Sequence, residues 1–103
     1  MPAAVRFAAT LVLRRAVTKP DALAMIALVL DSAVEGAGSP HPRVPLGASA
    51  WAEVEIPRFG EPPPLAIDVY STVSDDHARL EALRLAAVLE QSAGWSAVPD
   101  FPH

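Results

Sequence analysis

Two stretches decide the fold: Ala50-Trp51-Ala52-Glu53-Val54-Glu55-Ile56 and Leu65-Ala66-Ile67-Asp68-Val69-Tyr70. Each alternates with a period of two, the mark of a strand with one buried face. In the first, Ala50, Ala52, Val54 and Ile56 oppose Trp51, Glu53 and Glu55. In the second, Leu65, Ile67 and Val69 oppose Ala66, Asp68 and Tyr70. Between them runs Pro57-Arg58-Phe59-Gly60-Glu61-Pro62-Pro63-Pro64. Proline cannot donate to a ladder, so this segment reads as a long hairpin loop. Pairing Ile56 with Leu65 sets Val54 opposite Ile67 on the buried face. It sets Trp51 opposite Tyr70, Glu53 opposite Asp68, and Glu55 opposite Ala66 on the other. The parity agrees at every pair, and a slip of one residue would invert it.

Upstream, Val5 to Leu13 alternates in the same way. Val5, Phe7, Ala9, Leu11 and Leu13 oppose Arg6, Ala8, Thr10, Val12 and Arg14. Thr18, Pro20 and Asp21 form a helix-start signal. The apolar positions Leu23, Ile26, Ala27, Leu30 and Val34 predict a helix to about Glu35, with Gly36 as a left-handed stop. Met25 and Leu28 point elsewhere, and a neighbouring loop is expected to cover them. Residues 36–47 are rich in Gly and Pro and read as a loop with extended stretches. Ser74 caps a second helix with Asp75 and Asp76 in its first turn, running to Ala93 and ending at Gly94. Its main apolar face holds Ala82, Leu85, Ala86, Val88 and Leu89. Leu80, Leu83 and Ala87 form a second apolar side that calls for a loop, a tail or a partner chain. Trp95 to Val98 predicts a short last strand, confined to an edge by Pro99.

Strand, helix, strand, strand, helix, strand is the ferredoxin-like, split-βαβ order. The expectation is an α+β two-layer sandwich: an antiparallel sheet with two helices on one face and the other face open. The first and third strands are then neighbours, which brings Arg6 or Arg14 beside Asp68. The 103 residues suit a single domain, 1–103, because neither half alone could bury a core.

Composition narrows the function classes. No cysteine means no disulfide framework and no thiolate metal site. Ala, Pro and Arg richness with Lys19 as the sole lysine resembles the usage of GC-rich bacterial genomes. The formal charge is −4 and unevenly spread. Five basic and three acidic residues give +2 over residues 1–46; three basic and nine acidic give −6 over 47–103. An acidic field repels nucleic acid and favours a basic partner, although it also simply aids solubility. The apolar run Ala22–Leu30 is far short of the ~20 residues of a membrane span. Arg6 and the Arg14-Arg15 pair stand in the wrong order for a signal peptide, so a cytoplasmic protein is expected.

His41, His77 and His103 lack metal-ligand spacing, and His77 reads as a surface residue in a helix first turn. No phosphate loop, zinc-protease signature or paired nucleophile and base is legible, so no catalytic residue, cofactor or metal is expected. The open face is the constellation to weigh. Trp51, Glu53, Glu55, Asp68 and Tyr70 cluster there on two strands, and Glu53 against Asp68 is a like-charge pair that needs a cation nearby. Three readings stand: a solvated face in which Arg6 or Arg14 neutralises the acids and Trp51 stacks on Tyr70; a recognition patch for a basic partner; or the inside of a ligand pocket.

The stretches Trp51-Ala-Glu-Val-Glu-Ile56 and Gly60-Glu-Pro-Pro-Pro-Leu-Ala-Ile-Asp-Val-Tyr70 carry this acidic hairpin. With a compact single domain and no catalytic motif, the chain resembles in type the small immunity proteins of bacterial polymorphic-toxin systems, including those of myxobacterial toxin exchange. The resemblance implies a non-enzymatic domain that binds and occludes a toxin, and it carries over no individual residue. The competing reading is a dimeric α+β-barrel protein, monooxygenase- or isomerase-like. There, two open faces of a homodimer would enclose a small ligand, at the cost of burying Glu53, Glu55 and Asp68. A plain regulatory or scaffold domain is the third.

Overall fold

The computed structural model describes residues 6–56 and 65–101. The expectations for Val5, for the 57–64 loop and for His103 fall outside them. The elements are β1 (Phe7–Leu13), α1 (Lys19–Val29), β2 (Val44–Pro45), β3 (Ala50–Glu55), β4 (Leu65–Ser71), α2 (Asp75–Ala93) and β5 (Ala97–Pro99). They form one five-stranded sheet in the order β2-β3-β4-β1-β5 with every neighbour antiparallel. The result is the α+β, ferredoxin-like two-layer sandwich, extended at one edge by the two-residue β2.

The β3–β4 register is the one that parity demands: Trp51 opposite Tyr70, Glu53 opposite Asp68, Val54 opposite Ile67, and Glu55 opposite Ala66. The inward side chains of β1, β3 and β4 include Ala9, Leu11, Leu13, Ala52, Val54, Leu65, Ile67 and Val69, all buried. They pack with Leu23 and Ile26 of α1 and Ala78, Ala82, Leu85 and Leu89 of α2 in one core. Trp95 closes the core beneath β5. Fully burying one such aliphatic side chain stabilises by about 1.5–3 kcal/mol. Among the described residues, no helix is long and apolar enough to cross a membrane.

Both helix starts follow the sequence signals. The Thr18 hydroxyl accepts the Asp21 N–H at 3.2 Å, and the Ser74 hydroxyl accepts the His77 N–H at 3.0 Å. Gly94 closes α2 in the left-handed conformation, φ 66°. The end of α1 differs from expectation. The helix stops at Val29, capped by Leu30, six residues before Glu35. Asp31 takes the left-handed conformation at φ 51°. Its N–H donates to Leu28 O, and the Ser32 N–H donates to Ala27 O at 2.8 Å. This is a Schellman stop built on aspartate. Gly36 instead sits in a later turn, where its carbonyl accepts the Ser39 N–H. Val34 leaves the helix face and packs against the core from the loop.

Other departures concern apolar side chains. Leu28 is 73% exposed, with no covering loop among the described residues, and Leu80 and Leu83 are exposed on α2. Ile56 lies beyond the end of β3 and is 63% exposed instead of pairing with Leu65. It lines an apolar hollow of about 290 Å³ with Leu23, Val34 and Pro42.

A left-handed residue other than glycine is strained by roughly 1–2 kcal/mol, and a carboxylate at a helix C-terminus opposes the dipole. Asp31→Gly relieves both and should raise the unfolding free energy by about 1 kcal/mol, net of the added backbone freedom of the unfolded chain. Urea denaturation checks this through an increased midpoint at unchanged slope.

Candidate functional site

The open face of the sheet is organised by a row of four side chains, one from each of four adjacent chain segments. Trp51 of β3 and Tyr70 of β4 stack with ring centroids 5.5 Å apart and planes inclined by 26°. The Arg43 guanidinium, just ahead of β2, lies over Trp51 at 4.8 Å. The Arg6 guanidinium, just ahead of β1, lies over Tyr70 at 4.5 Å. These steps, from 4.5 to 5.5 Å, are close to the strand spacing of about 4.7–4.9 Å, as expected of a row that runs across the strands. Each cation–ring contact adds about 0.5–1 kcal/mol, more where water is excluded.

The carboxylates beneath the row find neutral donors. Glu53 is only 8% exposed, and its Oε2 accepts the Trp51 indole N–H at 2.9 Å. Its Oε1 lies 4.0 Å from His41 Nδ1. Asp68 accepts the Thr10 hydroxyl at 2.7 Å. The β1–β4 register sets Thr10 opposite Asp68, so the arginine expected there stands over Tyr70 instead. Glu53 and Asp68 therefore tolerate each other by hydrogen bonding. Arg43 also approaches Glu35, Nε to Oε1 at 3.7 Å, across a backbone bridge between the same two residues.

All five sequence-predicted residues thus stand on the open face. Trp51, Glu53, Glu55 and Tyr70 line one hollow of about 330 Å³, together with Arg6, Arg43 and His41. Asp68 lies beside it under Thr10. The two arginines give the face mixed charge. Arg6 lay within reach of strand alternation, but no periodicity in the Gly- and Pro-rich segment pointed to Arg43. Tyr70 titrates above its ordinary value. Burial is the main cause; the charges of Asp68, Glu53 and Glu55 add to it, and Arg6 partly offsets them.

A second polar cluster joins β4 to α2. Ser71 Oγ and His77 Nδ1 lie 2.6 Å apart, and His77 Nε2 lies 3.5 Å from Glu81 Oε1. Arg84 pairs with Glu81 at 3.3 Å. His77 is therefore half-buried and engaged, correcting the surface reading, and a paired hydroxyl and imidazole do exist. The legible signal was parity: Ser71 continues the buried set Leu65, Ile67, Val69, and a buried hydroxyl needs a partner. Ser71 is fully buried and its Oγ already accepts the Val73 N–H at 2.9 Å. No substrate reaches that oxygen, so the trio staples the end of β4 to the first turns of α2. Among the described residues, no group of three His, Asp or Glu is placed to hold a metal ion.

Tyr70 is the sole tyrosine, so phenolate absorbance reports on it alone. Its midpoint in the folded protein should lie above 10, and Arg6→Gln should raise it further. Folding favours the neutral phenol. Its contribution to stability is whole below the unfolded value near 10 and is lost as pH rises through the folded pKa. Ser71→Ala strands His77 Nδ1 and the Val73 N–H and should cost about 1–3 kcal/mol by urea denaturation.

Comparison with known proteins finds no matching family model, no matching curated protein and no matching solved structure, so the reading of this face rests on its own geometry.

Proposed function

We propose that this is a non-enzymatic binding domain whose open sheet face grips and occludes a basic protein partner, in the manner of a bacterial immunity protein against its toxin. One observation carries the reading: the pre-ordered row Arg43–Trp51–Tyr70–Arg6. Trp, Tyr and Arg are the residue types that dominate binding energy at protein interfaces. Here their side chains are already fixed against one another, so little side-chain freedom remains to be lost on association.

Electrostatics favour a basic partner at two ranges. At long range, the −6 of residues 47–103 steers cations towards this half of the chain. At short range, the charges of Asp68, Glu53 and Glu55 reach Tyr70, where they add to burial, the main cause, in raising its pKa, and Arg6 partly offsets them. Nucleic acid, with its phosphate backbone, suits such a surface poorly.

The test begins with the neighbouring gene. If it encodes a toxin, calorimetry of that product against this protein measures the affinity directly. Trp51→Ala should weaken binding by roughly 30-fold or more, the loss of an interface anchor. Glu55→Lys, on an exposed residue, should slow association and flatten its salt dependence. Affinity indifferent to both substitutions excludes this face, and a neighbourhood of metabolic enzymes counts against the toxin.

A further inference from the structure

The apolar hollow beside α1 takes no part in the open face. Its walls are Pro20 and Leu23 of α1, Val34, Ala37 and Pro42 of the loop that follows, and Ile56 past the end of β3, with Lys19 beside them. The early stop of α1 shapes it: the chain that turns away at Asp31 comes back past the first turns of the helix instead of extending it. Leu23 is buried at the floor, and Ile56 stands exposed at the rim. The volume of about 290 Å³ lies at the lower end of the ~300–1,000 Å³ range of ligand pockets, so the hollow suits a small body.

Lys19 is the one ionic group among the described walls. It is only partly exposed, as when a lysine stem lies along apolar surface. Its ammonium has no hydrogen bond or ion pair among the described residues. The acids nearest in sequence, Asp21 and Glu35, are not among the walls, and Glu35 is paired with Arg43. The helix start itself offers little to a ligand, since Pro20 has no N–H and the Asp21 N–H is held by Thr18. An ammonium against apolar walls attracts an anion more strongly than one in open water, because less solvent screens it. We infer that this hollow binds a small organic anion: an apolar body, a short chain or a single ring, enclosed by Leu23, Val34, Pro42 and Ile56, with a carboxylate that pairs with Lys19. A neutral body of the same shape forgoes the ion pair, and an apolar cation meets repulsion. All the walls but Ile56 come from residues 19–42, within the half of the chain that carries +2.

This site stands independently of any toxin, since none of its walls belongs to the open face. The test uses the full chain with octanoate as the probe and octanamide and octylammonium as its neutral and cationic counterparts. Calorimetry measures affinity, and two-dimensional amide NMR locates the bound probe. Octanoate should bind saturably with a dissociation constant below about 1 mM. It should bind about fivefold or more tightly than octanamide, with octylammonium weakest, and the shifts should gather at Leu23, Val34 and Ile56. Lys19→Gln should abolish the preference for octanoate over octanamide, Lys19→Arg should keep it, and Lys19→Glu should turn it towards octylammonium. Ile56→Glu, at an exposed position, should weaken octanoate about tenfold. Trp51→Ala should leave octanoate binding unchanged. Circular dichroism verifies that each variant is folded. Absence of saturable binding up to about 10 mM overturns the inference. So does equal affinity for the three probes, or a set of shifts centred on Trp51 and Tyr70. An oligomer that Ile56→Glu dissociates gives the hollow to a second copy and overturns it as well. None of these outcomes touches the proposed function, whose own test is the effect of Trp51→Ala on a protein partner.

Discussion

The antiparallel pairing of β3 with β4 is the constraint on which the rest of the structure depends. Its register assigns every side chain of the two central hairpin strands to one layer or the other. Ala52, Val54, Ile67 and Val69 go beneath, where the helices can cover them. Trp51, Glu53, Asp68 and Tyr70 go above. A shift of one residue would send two carboxylates into the core, a cost that no packing gain there could offset. The same register stacks Trp51 on Tyr70, and that stack gives Arg43 and Arg6 their seats.

The polar face is held together as a layer of its own. The Trp51 indole serves twice: its ring bears Arg43 and stacks on Tyr70, while its N–H holds Glu53 in place. Thr10 from β1 does for Asp68 what the indole does for Glu53. Two carboxylates facing each other across a ladder are thus accommodated by neutral donors. The cations above remain on the rings.

Legibility in the sequence follows how local each signal is. The register of β3 and β4 was legible because alternation in two strands must agree. The helix starts were legible because Thr18 and Ser74 are short-range caps. The end of α1 was not, since Asp31 does there what glycine does elsewhere, and Gly36 offered a false stop seven residues past the last helical residue, Val29. Of the site, Trp51 and Tyr70 could be placed from parity alone. Arg43 could not, because its position depends on the Gly- and Pro-rich segment returning as β2 beside β3. Ser71 and His77 belong to different elements, and only the turn between them brings the hydroxyl to the ring.

Both outer strands of the sheet are short and end in proline: Val44–Pro45 on one side and Ala97–Pro99 on the other. A residue without an N–H cannot template another strand, and two or three residues make a poor nucleus for one. Side-by-side polymerisation through the edges is thereby discouraged at both ends of the sheet. Growth into fibrils needs such edges. A chain with half its residues hydrophobic thus offers little edge backbone, among its described strands, along which copies could pair.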